Sequence, residues 1–174
     1  SEEEVLREAA KTVEKLLDEI RRSLEKVSKR VEDRDHMVLH EYVNAAGITR
    51  ELLEELRKNN VDRTLLEDVR RKLERIEERN EEMNDRSRRK LEELRERNRK
   101  ILEDIRRTLE DLKRRQLPKD DVERTLREIA KLVDEVDKEN KRALRENEER
   151  VKTLNRENEE MLKRIEEEVR RATK

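Results

Sequence analysis

The sequence predicts an all-α fold: an elongated, antiparallel, up-down-up three-helix bundle with buried polar layers. Three observations predict it. Charged residues make up 55% of the chain, hydrophobic ones 30% and aromatic ones 1%. That suits a narrow helical seam and supplies too little apolar side chain for a thick globular core. Apolar residues recur at steps of three and four, the spacing of one face of an α-helix. The pattern breaks at two places, Asn59-Asn60 and Gln116-Leu117-Pro118, and short connections between long helices set neighbours antiparallel. Residues 1–174 therefore read as a single bundle, each helix about 80 Å long at 1.5 Å per residue. Disorder is the alternative that so charged a composition raises; the periodicity speaks against it.

The first helix is expected over residues 2–58. Ser1 is its capping residue, with Glu2, Glu3 and Glu4 at the positive end of the helix dipole. Its apolar stripe runs through Val5, Ala9, Val13, Leu16, Ile20, Leu24, Val27 and Val31. Asp35 fills the next position, and the stripe resumes at Val38, Tyr42, Ala45, Thr49, Leu52 and Leu56. Asn59-Asn60 ends it, and Asp62 is a good N-cap for a second helix over 62–116. There the stripe is Leu66, Val69, Leu73, Ile76, Asn80, Met83, Ser87, Leu91, Leu94, Asn98, Ile101, Ile105 and Leu112. Pro118 suits the first helical position of a third helix over 119–173, with Asp120 and Asp121 in its first turn. Val122, Leu126, Ile129, Val133, Val136, Asn140, Ala143, Asn147, Val151, Leu154, Asn158, Met161, Ile165 and Val169 form its stripe. Four-residue steps such as Ser87 to Leu91 interrupt the heptad and relax the supercoil.

Polar residues on these stripes are expected to meet in layers. Across the first connection residue i pairs with about 121 − i, and across the second the paired numbers sum to about 235. Asn98 then falls level with Ser23 and with Asp137 to Asn140. Ser87 falls level with Arg34, Asp35 and Asn147, and Asn80 with Glu41, Tyr42 and Asn155 to Asn158. A buried amide costs stability unless its partners are present. The set Ser23, Asn80, Ser87, Asn98, Asn140, Asn147, Asn155 and Asn158 therefore reads as hydrogen-bond networks that fix register. Solvated edge positions are the competing reading.

Composition also bounds function. Lys and Arg number 47 against 48 Asp and Glu, with the signs interspersed. No basic stripe for nucleic acid and no acidic tail results. There is no cysteine, hence no disulfide framework and no thiolate chemistry. No apolar run approaches the roughly 18 residues that span a bilayer, and no signal peptide opens the chain. A soluble protein is expected, with no native compartment and a cytoplasmic location on recombinant expression. His36 and His40 are four apart, a spacing that can chelate a metal, but no third ligand accompanies them. No metal and no cofactor are expected. Glu41 lies beside His40 and Tyr42, yet so thin a core implies no pocket, and no catalytic residue is expected. Met37, Met83 and Met161 read as gap-filling core residues.

One stretch departs from this Glu, Lys, Arg and Leu background. Residues 34–49, RDHMVLHEYVNAAGIT, hold the only two His, the only Tyr and the only Gly of the chain. Read with period two, Met37, Leu39, Glu41 and Val43 share one face, while His36, Val38, His40, Tyr42 and Asn44 share the other. Read with period 3.6, Val38, Tyr42, Ala45 and Thr49 join the stripe of the first helix, flanked by Leu39, Val43 and Ala46. Both strand and helix are written in it. Its local preference is not helical: Val38, Val43, Ile48 and Thr49 are β-branched, and Gly47 in mid-helix costs about 1 kcal/mol relative to Ala.

From Arg34 and Asp35 through Gly47, Ile48 and Thr49, these sixteen residues resemble, position for position, the eleventh β-strand of green fluorescent protein in its split-reporter form. The resemblance implies a partner, the separate ten-strand fragment, whose fluorescence the strand restores on completing the barrel. It also implies that the Met37, Leu39, Glu41 and Val43 face points into the barrel. Glu41 would then be the carboxylate beside the chromophore, with His40, Tyr42 and Asn44 facing outward. The rest of the chain resembles de novo designed helical bundles of the latch-and-cage kind, in style of sequence and not through a motif. Together these imply a designed switch that holds the strand in helical form and complements the ten-strand fragment on release. Two other expectations stay open. The chain could be a constitutive scaffold with an accessible tag, or an incomplete bundle that takes a fourth, key helix from a peptide or another copy.

Overall fold

Periodic apolar spacing and end signals produce three helices in the computed structural model: α1 (Glu2–Lys58), α2 (Arg63–Arg115) and α3 (Lys119–Ala172). The described backbone covers residues 2–58 and 62–172, and the side chains at 2, 38–46, 48, 49, 52 and 56 are not described. The expected cap at Ser1, the break at Asn59-Asn60 and the helical position at 173 lie outside the described residues. So do the stripe positions Val38, Tyr42, Ala45, Thr49, Leu52 and Leu56, as far as their side chains are concerned. Among the described residues there is no strand, and the chain is a helical bundle.

The helix ends follow local chemistry. The Thr64 amide donates to Asp62 Oδ1 at 3.1 Å, and the Leu66 amide donates to the Asp62 carbonyl at 3.3 Å. Asp62 is thus the N-cap of α2, satisfying one of the amides that a helix start leaves unpaired. Lys113, Arg114 and Arg115 crowd the last turn, where cations suit the carbonyl end. Gln116 then turns the chain out of the helix with φ of 47°, a left-handed conformation that glycine adopts more cheaply. Pro118 departs from expectation by one position. Its carbonyl accepts the amides of Asp121 at 3.0 Å and Val122 at 3.1 Å, as a capping residue's does, so α3 begins at Lys119. Asp120 and Asp121 occupy the first turn as expected.

The chain divides into two compact units, Ser1–Arg30 with Arg89–Arg145, and Val31–Arg88 with Glu146–Lys174. In the first unit Val13, Leu17 and Ile20 of α1 pack with Ile105 and Leu109 of α2 and with Ile129, Val133 and Val136 of α3. Ala9, Leu112 and Val122 continue this core. Leu17 is fully buried, whereas Leu16, the expected stripe residue, is only half-buried. Leu109 and Leu144 are further buried positions off the expected stripes. A face touching two neighbouring helices is wider than a single three-four stripe.

In the second unit Val69 and Leu73 of α2 pack against Ile165 and Val169 of α3, with Leu53 of α1 beside them. Met83, Val151 and Leu154 form a smaller cluster. Charged pairs line its edges: Lys72 with Glu168, Arg79 with Glu157 at 3.4 Å, and Arg34 with Glu148 at 2.9 Å. Partly exposed pairs of this kind add up to about 1 kcal/mol each, so the apolar clusters and the buried amides decide stability.

Candidate functional site

The segment 34–49 lies wholly within α1, and its backbone is helical at every position. Four β-branched residues and a glycine oppose this locally, while Leu39, Glu41, Ala45 and Ala46 favour it. Gly47 is exposed, has no left-handed φ, and a Cβ built on it meets nothing within 4 Å. Neither a turn nor a close approach of another helix explains a glycine there.

Where the segment's side chains are described, they divide sharply. Arg34 is half-buried and pairs with Glu148 of α3. Asp35 is half-buried, His36 is exposed, and Met37 is 63% exposed. Met37 was expected to fill a core gap, and instead it is the exposed large hydrophobic side chain among the described residues. It precedes Val38, the stripe position, by one residue, and that is a rotation of 100° away from the stripe. Val38, Leu39, His40, Glu41, Tyr42, Val43, Asn44, Ala45, Ala46, Ile48 and Thr49 belong to the helical backbone, with undescribed side chains.

Among the expected polar residues, the first unit brings together Ser23, Asn98 and Asn140. Asn98 Nδ2 donates to Asn140 Oδ1 and Asn140 Nδ2 donates to Asn98 Oδ1, both at 3.0 Å. Asn98 Nδ2 also donates to the Leu94 carbonyl at 2.7 Å, and Asn140 Nδ2 to Ser23 Oγ at 3.1 Å. Ser23 Oγ in turn donates to Asp137 Oδ1 at 2.7 Å. The two amides are buried and Ser23 is half-buried. Hydrogen bonds from Lys141 and Ser23 hold the Asp137 carboxyl below its ordinary range against the opposing effect of burial.

The second unit brings together Ser87 with Asn147, and Asn80 with Asn158. Asn147 Nδ2 donates to Ser87 Oγ at 3.1 Å and Asn158 Nδ2 to Asn80 Oδ1 at 3.0 Å. Asn155 is half-buried. Asp35, which the counting places level with Ser87, and Arg150, which it does not single out, both bear on the Ser87–Asn147 pair. Burial raises the Asp35 carboxyl above its ordinary range, opposed by hydrogen bonds from Ser87 and Asn147 and by the charges of Arg150 and Arg88. Burial, together with the neighbouring charge of Arg86, lowers the Arg150 guanidinium, opposed by Glu146 and Asp35. The sequence signal for Asp35 was its place on an apolar stripe. For Arg150 it was the three-residue step from Asn147.

The two units differ in how well these groups are satisfied. Among the described residues, the buried side-chain atoms without a hydrogen-bond partner belong to Asp35, Asn80, Asn84, Asn147, Arg150, Asn158 and Glu168. All seven lie in the second unit, the one that contains the segment. Each such atom costs roughly 1–3 kcal/mol if no water reaches it.

Among the described residues, no group of three or more His, Cys, Asp or Glu side chains is placed to hold a metal. No helix among them is long and apolar enough to cross a membrane. Comparison of the chain with protein-family models, with curated proteins and with solved structures gives no match.

Proposed function

We propose that this chain is a designed up-down-up three-helix bundle that cages a split green fluorescent protein strand in α1. On release, the strand would complement the ten-strand fragment, and fluorescence would arise in that partner. The observation that carries the reading is the unbroken helix over 34–49, set against the strand that the same sixteen residues resemble. The two forms exclude one another. Sixteen residues span about 24 Å as helix and about 53 Å as strand, from rises of 1.5 and 3.3 Å per residue. The backbone amides and carbonyls that would pair with barrel strands are used inside the helix. Complementation therefore requires this part of α1 to melt, and the stability of the second unit opposes it.

The up-down-up arrangement is supported by partner numbers. Lys72, Asn80 and Ser87 rise along α2 as their partners Glu168, Asn158 and Asn147 fall along α3. Asn155 lies one turn from Asn158 and extends the third polar layer in this reading.

Mixing the chain with the ten-strand fragment, beside the free sixteen-residue peptide, tests the proposal. Fluorescence should grow more slowly from the chain than from the peptide, and a core substitution in the second unit should restore the rate. Equal rates would mean that the segment is an accessible tag on a constitutive scaffold.

A further inference from the structure

The chain has three methionines and no cysteine, so its thioethers are the sulfur groups open to oxidation. They sit in unlike surroundings. Met83 is 8% exposed and packs with Val151 and Leu154. Met161 is half-buried against the core of Val69, Leu73, Ile165 and Val169. Met37 is 63% exposed on α1. Peroxide reaches exposed thioethers first, and in the folded chain that is Met37.

The helix gives no reason for an apolar side chain at this position. Its exposed neighbours Glu32, Asp33 and His36 are polar. The strand that the same residues resemble does give one. With period two, Met37 shares a face with Leu39, Glu41 and Val43, and the opposite face holds His36, His40 and Asn44 with Val38 and Tyr42. Position 37 is thus solvent-facing in the helix, and in an extended chain it belongs to the more apolar face, the one that a sheet packs on a core.

We propose that Met37 is a peroxide-sensitive modification site whose oxidation to the sulfoxide spares the helical form and disables the strand form. The sulfur lone pair attacks one peroxide oxygen, and an S–O bond forms as the O–O bond breaks. The departing hydroxide takes the proton left on the transferred oxygen, giving sulfoxide and water. Sulfur loses two electrons and the peroxide gains them. On the helix the sulfoxide oxygen faces water. Packed inside a closing sheet, it is a polar group without a partner. The bearing on complementation rests on the caging reading; the order in which the thioethers react does not.

The test treats the free chain with hydrogen peroxide, stops the reaction with catalase and maps the modified residues by mass. Met37 should react about eightfold faster than Met83, the ratio of 63% to 8% exposure. When Met37 alone has reacted, amide exchange in the second unit should match that of the untreated chain. Initial fluorescence growth with the ten-strand fragment should fall at least about fivefold, the cost of burying an unpaired polar group. The oxidised sixteen-residue peptide should show the same fall, and a Met37→Leu chain treated alike should show none. Equal rates at Met37 and Met83, faster amide exchange after oxidation, or undiminished complementation by the oxidised peptide would each overturn the proposal. An untreated chain as fast as the untreated peptide would remove caging instead, while the two peptides still decide the effect of the sulfoxide.

Discussion

Under the proposed caging, replacing Gly47 with alanine should slow strand release by an amount that the structure allows to be stated in advance. Gly47 sits in an unbroken stretch of α1, exposed and without a left-handed φ. A Cβ placed there meets nothing within 4 Å, so the methyl group adds neither clash nor new packing. What remains is the difference in helix propensity, about 1 kcal/mol in favour of Ala. If strand pairing requires prior melting of this part of α1, the open population falls by the corresponding factor, about fivefold at 25 °C. Fluorescence growth with the ten-strand fragment in excess should slow by that factor. The same substitution in the free sixteen-residue peptide shows any effect on strand pairing itself, and the ratio of the two ratios isolates caging. The urea midpoint of the chain should rise in parallel. A Gly47→Ala chain that complements as fast as the parent, after the peptide correction, would refute the reasoning. So would one of lower stability, since a helical exposed glycine cannot be worse replaced by alanine.

Four further substitutions probe other parts of the account. The folded chain holds the Asp35 proton more tightly than the unfolded chain does, so stability from this group is full below its unfolded pKa and is lost as pH rises through the folded one. Lowering the pH from 7 toward about 4, the ordinary aspartate range, should therefore slow amide exchange in the second unit of the parent relative to Asp35→Asn, after correction for intrinsic rates. Asp35→Asn should remove that dependence and, by ending the burial of a charge, stabilise the chain by about 1 kcal/mol at pH 7. Asp137 has the opposite sign: its contribution is lost as pH falls below about 4, and Asp137→Asn should flatten the acid limb of a thermal unfolding profile. Asn140→Leu deprives Asn98 and Ser23 of their partner and should cost about 2–4 kcal/mol in urea unfolding. Gln116→Gly relieves a left-handed φ and should raise stability by roughly 0.5–1 kcal/mol, read from the shift in unfolding temperature.

Much of the fold was legible because helices write their faces at fixed spacing. The helix bounds expected from the sequence agree with α1, α2 and α3 within about a residue at each described end. Ser23 is hydrogen-bonded to Asn140, and Asn80 to Asn158. What counting did not reach was the exact rotation of each face. Leu17 lies deeper than Leu16, and Met37 turns outward, because a helix wedged between two others buries a wide arc whose centre depends on both neighbours. Nor did spacing separate satisfied from unsatisfied amides. Asn98 and Asn80 look alike in sequence, and only donor–acceptor geometry shows one exchanging hydrogen bonds and the other left with a free amide. The segment 34–49 is the place where local preference and structure disagree most. Its β-branched residues favour a strand and Gly47 disfavours a helix, yet its backbone is helical.

The most direct test is the backbone conformation of residues 34–49 in the free chain, followed by amide exchange and Cα chemical shifts. Caging predicts helical shifts from Arg34 through Thr49, with amides protected well above the free peptide and losing protection together when second-unit packing is weakened. Random-coil shifts with exchange at the peptide's rate would contradict it. Residues 34–49 would then be an open tag, and α1 would not be the cage.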